Sequence, residues 1–224
     1  MIVESAAPLF AINGFSGTTT KQIAKAAGVS EALLYKHFPS KEVLYQEMLG
    51  SACSAKQELV DAIMLLPSNT DTLIISIYYF FEHILYEEEQ GKGEKRMVKR
   101  LMLNSLLEDG HFAKIFLEHR FYPVIEKFES CITEAIRVGD IREGCVPIKL
   151  GIWMGHHIAT AIGFMRLPGN DLVDYGCSKE ELLIHSVRFG LRGLGLSEEI
   201  IRARVRPEYL AQKLAEYRAQ IKED

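Results

Sequence analysis

Cysteine and tryptophan are scarce in this chain of 224 residues, which has four cysteines and one tryptophan. The cysteines are Cys53, Cys131, Cys145 and Cys177, and no two of them form a C-x-x-C pair. A zinc site or a redox-active thiol pair is therefore not expected, and reduced thiols are the simpler interpretation. A chain of this length can bury a large core without disulfides or a metal ion.

Long apolar runs are missing too. The most apolar stretch, TLIISIYYFFEHILY at 72–86, contains Glu82 and His83. It is too short to cross a bilayer, so we interpret it as a buried helix. The N-terminal stretch, MIVESAAPLF, lacks the basic start and the apolar run of a signal peptide. We therefore expect a cytoplasmic protein.

Motifs of catalytic and cofactor chemistry are also absent. GKGEK at 91–95 is not a phosphate-binding loop, because the pattern G-x-x-x-x-G-K-[ST] does not occur. No carboxylate or cysteine lies at metal-ligand spacing around His83, His156 and His157. No nucleophile–base pair stands out either. We expect no enzyme activity, no cofactor and no metal ion, and we keep a helical enzyme or small-molecule carrier as an alternative.

The charge is unevenly distributed. A formal net charge of −4 argues against a surface that coats nucleic acid without specificity. The segment from Thr18 to Lys41 differs from the rest of the chain, because its only acidic residue is Glu31. It contains four lysines: Lys21, Lys25, Lys36 and Lys41. A local basic patch is therefore compatible with the acidic total.

Helical periodicity dominates the chain, and no convincing strand alternation is found. Caps and helix breakers predict helices at 2–13, 20–26 (capped by Thr20), 30–38, 40–65, 71–89, 95–107, 111–138, 148–167 and 178–194. A last segment begins at 197. Pro123 is a candidate kink in the long helix, and Pro207 is a candidate restart in the last segment. The sequence therefore predicts an all-α fold.

Residues 18–45 have the pattern of a helix-turn-helix. Two short helices packed at a steep angle need a small residue at their closest approach, where Ala24 lies, and a residue that tolerates positive φ between them, where Gly28 lies. Apolar side chains must hold the pair together, and the candidates are Ile23, Val29, Leu34 and Phe38. A surface helical hairpin with solvated lysines has the same spacing, and spacing alone does not decide between the two.

The outward face of the second helix would meet base edges and phosphates in a major groove. Lys36 is a candidate donor to guanine, and Ala32 and Leu33 are candidate contacts to thymine methyl groups. Hydroxyl groups and lysines nearby are suited to phosphate. The full predicted set is Thr18, Thr19, Thr20, Lys21, Ser30, Ala32, Leu33, Tyr35, Lys36, His37 and Lys41.

The stretch from Ala6 to Leu44 resembles the N-terminal domain of the TetR family of bacterial transcriptional regulators. The matching residues are AAPLF and NGF within 6–15, TTTKQIAKAAGVS at 18–30 and LLYKHFPSKEVL at 33–44. The resemblance covers about a fifth of the chain.

The resemblance implies a three-helix DNA-binding domain at 1–48 and a larger helical ligand-binding and dimerisation domain at 49–224. It also implies phosphate contacts for Tyr35, Lys41 and one of Thr19 and Thr20. The helical count places His37 nearer the packed face, so its role is structural or a phosphate contact. Many relatives carry a basic arm before the first helix, and this chain begins almost inside that helix, so we expect fewer groove or phosphate contacts there.

Small residues recur at every fourth position in two later helices. They are Gly151, Gly155, Ala159 and Gly163 in the first helix, and Ser186 and Gly190 in the second. Such a ridge lets backbones approach closely, and the family architecture places the dimer interface on these two helices. Packing within one chain is the alternative, and both can hold. A two-fold dimer would read a palindromic DNA operator.

Aromatic side chains with polar tips are suited to an apolar ligand. The predicted ligand-binding residues are Tyr78, Tyr79, His83, Met102, Phe116, Phe121, Tyr122, Trp153 and His157, with Phe81 beside them. Ordinary core packing is the alternative for each. The resulting hypothesis is a repressor controlled by a small, largely apolar effector, and a DNA-binding protein controlled by a protein partner is a second. The segment 197–224 either covers the core or extends the dimer interface.

Overall fold

The computed structural model describes residues 1–54, 58–90, 94–144, 146–168 and 172–223. Within these ranges the side chains at 51–54, 58–59, 86–90, 94–96 and 218–223 are not described. The regular elements of the described residues are helices, joined by turns and short loops, with one isolated β-bridge between Ile141 and Leu196. The predicted all-α fold is confirmed.

The helices are α1 (Ile2–Gly17), α2 (Thr20–Ala26), α3 (Glu31–His37), α4 (Lys41–Ser54), α5 (Glu58–Leu65), α6 (Thr70–Gln90), α7 (Glu94–Leu107), α8 (His111–Arg120), α9 (Tyr122–Arg137), α10 (Ile148–Met165), α11 (Lys179–Gly193), α12 (Glu198–Arg204) and α13 (Pro207–Glu223). They form two compact units. The first comprises Met1–Lys56 and Glu88–Pro123, and the second comprises Gln57–Glu87 and Val124–Asp224. The predicted functional boundary at residue 48 stays a prediction.

Two predicted helices differ from the observed ones. The helix predicted at 111–138 is divided at Phe121, and α9 begins one residue before Pro123. Proline fits the first turn of a helix, where its missing N–H breaks no hydrogen bond, but it cannot continue α8. The helix predicted at 40–65 corresponds to α4 and α5, whose junction at 55–57 lies outside the described residues.

The first unit is built around α1, which packs against α7, α4 and α2. Its core is formed by side chains from six helices. The largest fully buried members are Phe10, Ile23, Leu34, Leu44, Met48, Leu49, Leu101 and Phe112. Tyr45 of α4 lies among Phe10 and Phe15 with ring centroids 4.8 and 4.9 Å away. Burial, with Asp109 and Glu108 as further causes, raises the pKa of Tyr45 to about 12.

The α1 helix bends at Gly14, whose backbone has φ 73° and ψ 177°. This conformation is outside the helical region and is costly for residues other than glycine. The bend disrupts the regular backbone hydrogen bonds, so carbonyl groups need other donors. Asn104 of α7 supplies one, since its Nδ2 donates to the carbonyl oxygen of Ala11 at 3.0 Å and approaches that of Phe10 at 3.5 Å.

In the second unit, the chain's last helices cover buried surface. Ile201, Val205 and Leu210 of α12 and α13 and their junction are buried, and polar bonds join these helices to α6. Arg204 Nη1 lies 3.0 Å from Asp71 Oδ1, and the hydroxyl of Tyr209 donates to the same oxygen at 2.8 Å. The described part of segment 197–224 therefore has one of its two predicted roles, that of covering the core.

None of the described helices combines the length and apolar character that a bilayer span requires.

Replacing Asn104 with alanine tests the bend in α1. The variant leaves the carbonyl of Ala11 without its side-chain donor, so we expect the free energy of unfolding to fall by about 1–2 kcal/mol. Urea denaturation followed by circular dichroism measures this loss. Asn13→Ala is the control, because Asn13 is exposed on α1 and should change stability by less than about 0.5 kcal/mol. Equal effects would show that the Asn104 bond does not stabilise the bend.

Candidate nucleic-acid interface

Short capping sequences position α2 and α3. The side chain of Thr19 accepts from the backbone N–H of Gln22 at 3.2 Å, and the Gln22 side chain accepts from the N–H of Thr19 at 2.8 Å. This reciprocal capping box makes Thr19, rather than the predicted Thr20, the N-cap of α2. Ser30 caps α3 as predicted, because its hydroxyl accepts from the N–H of Leu33 at 3.1 Å.

A left-handed glycine makes the turn between the two helices. Gly28 has φ 67°, and the next N–H, that of Val29, donates to the carbonyl of Ala24 at 3.0 Å. The pair is held by buried side chains, since Ile23, Ala24 and Leu34 are at most 3% exposed. The predicted small residue and turn glycine therefore have the expected positions, and α2 and α3 form a helix-turn-helix.

The outward side of α3 is free of the core. Only Leu34 of α3 is buried, and the exposed residues include most of the predicted DNA-binding set: Ala32, Leu33, Tyr35, Lys36 and His37. Lys21 and Lys25 are exposed on the neighbouring α2. The helical count predicts His37 nearer the packed face, and this prediction is wrong, because the His37 side chain is exposed.

Two predicted phosphate-binding residues have structural positions instead. Thr18 is 1% exposed, and its hydroxyl bonds to the carbonyl of Gly14 at 2.8 Å. Lys41 donates through Nζ to the carbonyls of Phe15 at 2.8 Å and Thr18 at 3.0 Å, and Nζ lies 4.2 Å from the centroid of the Phe15 ring. Lys41 therefore links α4 to the end of α1, and the Thr18 hydroxyl is engaged within α1, so both side chains have structural roles.

Sequence reasoning missed a polar chain across the helix pair. The hydroxyl of Thr20 on α2 donates to Oε1 of Glu31 on α3 at 2.9 Å, and it lies 3.2 Å from the hydroxyl of Tyr35. Spacing of eleven and fifteen residues gives no sequence pattern for such contacts. In the sequence Glu31 is only the one acidic residue among the lysines, whereas in the structure it is part of the exposed face.

The small-residue ridge faces the chain's own interior at most positions. Gly151, Ala159, Gly163 and Ser186 are buried. A Cβ atom added to Gly151 would lie 2.7 Å from Leu194 Cδ2 and 3.0 Å from Val146 Cγ1, so this glycine allows close packing against side chains of the same chain. The intrachain alternative therefore explains these four positions.

A different stripe of the same two helices is exposed. Leu150, Met154 and Met165 of α10 are 50%, 55% and 43% exposed, and Phe189 of α11 is 62% exposed. The α10 and α11 helices pack against each other. Large apolar side chains exposed on neighbouring helices are typical of an interaction surface. The sequence analysis did not predict this surface, because it followed the small residues that recur at every fourth position.

The predicted ligand-binding residues are divided between the two compact units. Met102 and Phe116 pack against the core of the first unit, so ordinary core packing explains them. Phe121 and Tyr122 also belong to that unit. The other five belong to the second unit, namely Tyr78, Tyr79, His83, Trp153 and His157.

Aromatic and imidazole rings of α6 and α10 stack within the second unit. Tyr79 stacks with His83 at 5.7 Å and Trp153 with His157 at 5.8 Å between ring centroids. Burial, with His157 as a smaller cause, lowers the pKa of His156 from 6.5 to about 4. The unfolded chain therefore binds more protons between these two values, and His156 contributes a loss of stability as the pH falls through that window.

An open groove of about 530 Å³ lies elsewhere in the second unit. Its lining is largely acidic and hydroxylic: Ser68, Glu126, Glu129, Ser130, Thr133 and Glu134. None of the predicted ligand-binding residues contributes to it. Among the described residues, no group of three or more histidine, cysteine or carboxylate side chains is arranged to hold a metal ion.

Comparison with known proteins agrees with the helix-turn-helix geometry. Residues 2–48 match the model of bacterial regulatory proteins of the TetR family. The nucleoid occlusion factor SlmA of Vibrio atlanticus (strain LGP32) is 31% identical over 134 residues, which cover 58% of this chain and 62% of that protein. IcaR of Staphylococcus aureus (strain Newman), a negative transcriptional regulator of the biofilm operon icaADBC, is 30% identical over 89 residues, 40% of this chain and 46% of that protein.

The chain therefore spans less than two thirds of the length of both relatives. Among solved structures, FadR of Bacillus subtilis in complex with stearoyl-CoA is similar in fold, with a TM-score of 0.57 and 19% identity. The match covers 86% of this chain and 97% of FadR. The fold and the exposed α3 define a helix-turn-helix protein. Residues 2–48 match the TetR family, as the resemblance predicted.

Two glycines of α10 provide a matched test of the ridge. Gly151→Ala should lower the free energy of unfolding by about 1–3 kcal/mol, because the new methyl group overlaps Leu194. Gly155→Ala should raise it by up to about 1 kcal/mol, because no atom of the chain lies within 4 Å of the added Cβ and alanine favours helix. Thermal unfolding of both variants measures the difference. A loss at Gly155 would instead place another chain against it.

Proposed function

We propose that this protein is a transcriptional repressor. It binds a palindromic operator in double-stranded DNA as a homodimer in the cytoplasm, and a small, largely apolar effector controls its affinity. The proposal rests first on helix α3. One buried residue, Leu34, anchors this helix, and its other side chains are exposed. A helix held in this way can enter a major groove without losing its packing.

Local charge supports DNA as the partner. Lys21, Lys25 and Lys36 are exposed around the helix pair, and Glu31 is the acidic residue among them. Lysines near phosphates release condensed counterions, which favours binding even though the whole chain is acidic. Lys36 is the proposed base-reading residue, because it projects from the exposed side of α3 and a lysine can donate to guanine O6 or N7.

The proposed effector site lies in the second unit, among aromatic and imidazole side chains of two helices, α6 and α10, which meet where the rings of Phe80 and His156 stack 5.6 Å apart. Its proposed residues are Tyr78, Tyr79, His83, Trp153 and His157. Its rings and imidazoles suit an apolar molecule with a polar end. The stearoyl-CoA of FadR supports an acyl ligand only by analogy of fold. Such an effector changes DNA binding only if it prefers one of two conformations, because equal affinity for both shifts nothing.

Selection of bound sequences from random DNA tests the proposal, with the purified protein at physiological ionic strength. We expect an enriched palindrome whose half-sites lie about one DNA turn, or a multiple of it, apart. Absence of enrichment would contradict sequence-specific regulation. Lys36→Ala should then weaken binding to the selected operator by about 1–3 kcal/mol in titrations followed by fluorescence anisotropy.

A scrambled DNA duplex is the control for Lys36→Ala. If Lys36 reads a base, the operator loses more affinity than the scrambled duplex. An equal loss on both would show that Lys36 contacts phosphate only.

A charge in the exposed stripe tests the proposed dimer. Phe189→Glu should convert the dimer to a monomer, because a carboxylate in an apolar interface is costly to desolvate. Sedimentation velocity measures the mass in solution. Leu65→Glu is the matched control, since Leu65 is 84% exposed on α5 and outside the stripe. A dimer that survives Phe189→Glu would place the interface elsewhere.

A further inference from the structure

An acidic side chain occupies the first turn of the helix proposed to read DNA. Glu31 is exposed, as are its neighbours Ala32, Leu33 and Lys36 on α3. Residues early in a recognition helix are the ones that contact base edges. A carboxylate there is repelled by the negative phosphates, so it weakens binding to every DNA sequence unless a hydrogen bond from a base offsets the repulsion.

The hydrogen-bond chain holds this carboxylate in one orientation. A threonine hydroxyl has one proton, and that of Thr20 is donated to Glu31 Oε1 at 2.9 Å. The hydroxyl of Tyr35, 3.2 Å from Thr20 Oγ1, must therefore be the donor in that contact. The chain runs from Tyr35 through Thr20 to Glu31, and every proton in it points toward the carboxylate.

The second carboxylate oxygen remains available. Within the described part of the chain, no group donates a hydrogen bond to Oε2 of Glu31. Holding an exposed glutamate by Oε1 removes rotamer freedom before binding, which lowers the cost of using Oε2 at an interface. A carboxylate accepts hydrogen bonds and donates none, and among the base edges of the major groove it pairs with the N4 amino group of cytosine.

We propose that Glu31 is a specificity-determining residue that reads a cytosine in each half-site, and that Thr20 and Tyr35 are positioning residues that orient it. The inference rests on the proposed DNA-binding function. Glu31 would be a hydrogen-bond acceptor on a face of α3 whose other base-reading candidate, Lys36, is a hydrogen-bond donor. Glu31 selects by accepting from cytosine and by repelling the acceptor atoms of guanine and thymine.

Capping of α3 does not by itself account for this arrangement. The helix already has its side-chain cap, the hydroxyl of Ser30. A glutamate in the first turn needs no partner on another helix to favour the helix dipole. The bond from Thr20 joins α2 to α3 across the exposed face, and this is where orientation of the carboxylate matters for a groove.

Parallel sequence selections with the wild-type protein and three variants test the proposal. For Glu31→Gln, we expect the cytosine preference at one symmetric position to fall about tenfold and to move toward adenine, because an amide pairs with adenine N6 and N7. For Thr20→Val, which keeps the side-chain shape, we expect the same position to lose part of its preference. Glu118→Gln is the control, because it makes the same charge change on exposed α8 and should leave the motif unchanged.

Two readouts separate the possible outcomes. Thermal unfolding shows that each variant is folded, so a changed motif is not a stability effect. An unchanged motif for Glu31→Gln, with affinity raised equally on all sequences, would overturn the inference and leave Glu31 as a repulsive charge. Failure of the wild-type protein to enrich any palindrome would instead contradict the proposed function, so the two failures are distinguishable.

Discussion

The first unit depends on how the carbonyl groups at the bent end of α1 find hydrogen-bond donors. A left-handed glycine at position 14 interrupts the helix, and a backbone carbonyl without a partner in a packed interior is costly. Three side chains from different elements supply donors there. Asn104 reaches Ala11, Thr18 reaches Gly14, and Lys41 reaches the carbonyls of Phe15 and Thr18. The same groups that satisfy α1 therefore also fix α4 and α7 around the helix pair α2–α3.

This arrangement explains why the short helix-turn-helix segment packs together with later helices of the same unit. Residues 2–48 form the helix-turn-helix match, but the unit that packs around α1 also contains α7 and α8. Leu101 and Phe112, contributed by these later helices, are buried in the same core as Leu34 of α3. A displacement of α7 would therefore disturb the Asn104 bond and the packing that positions α3. The segment that follows the motif along the chain is thus a structural part of it.

Much of this fold could be predicted from sequence, because helix periodicity and caps are local properties. The turn glycine at 28 and the cap at Ser30 were predictable for that reason. The roles of Thr18 and Lys41 were not predictable, because a hydroxyl group or an ammonium group can donate to a phosphate or to a backbone carbonyl equally well. Which one they meet depends on the bend at Gly14, whose effect arises from packing between helices distant in sequence. The small residues of α10 had the same ambiguity, since close approach within a chain and between chains requires the same side-chain size.

The exposed face of α3 combines opposite electrostatic properties, and their combination limits what it can bind. Lys36 donates and carries positive charge, whereas Glu31 accepts and carries negative charge. A face with lysine alone would favour any phosphate backbone, and affinity without selectivity would result. In the proposed function, the glutamate lowers that general attraction at every DNA site, and Thr20 holds its carboxylate at the exposed surface. A protein that must find few operators among many DNA sites gains from such a residue, because specificity is a difference between affinities.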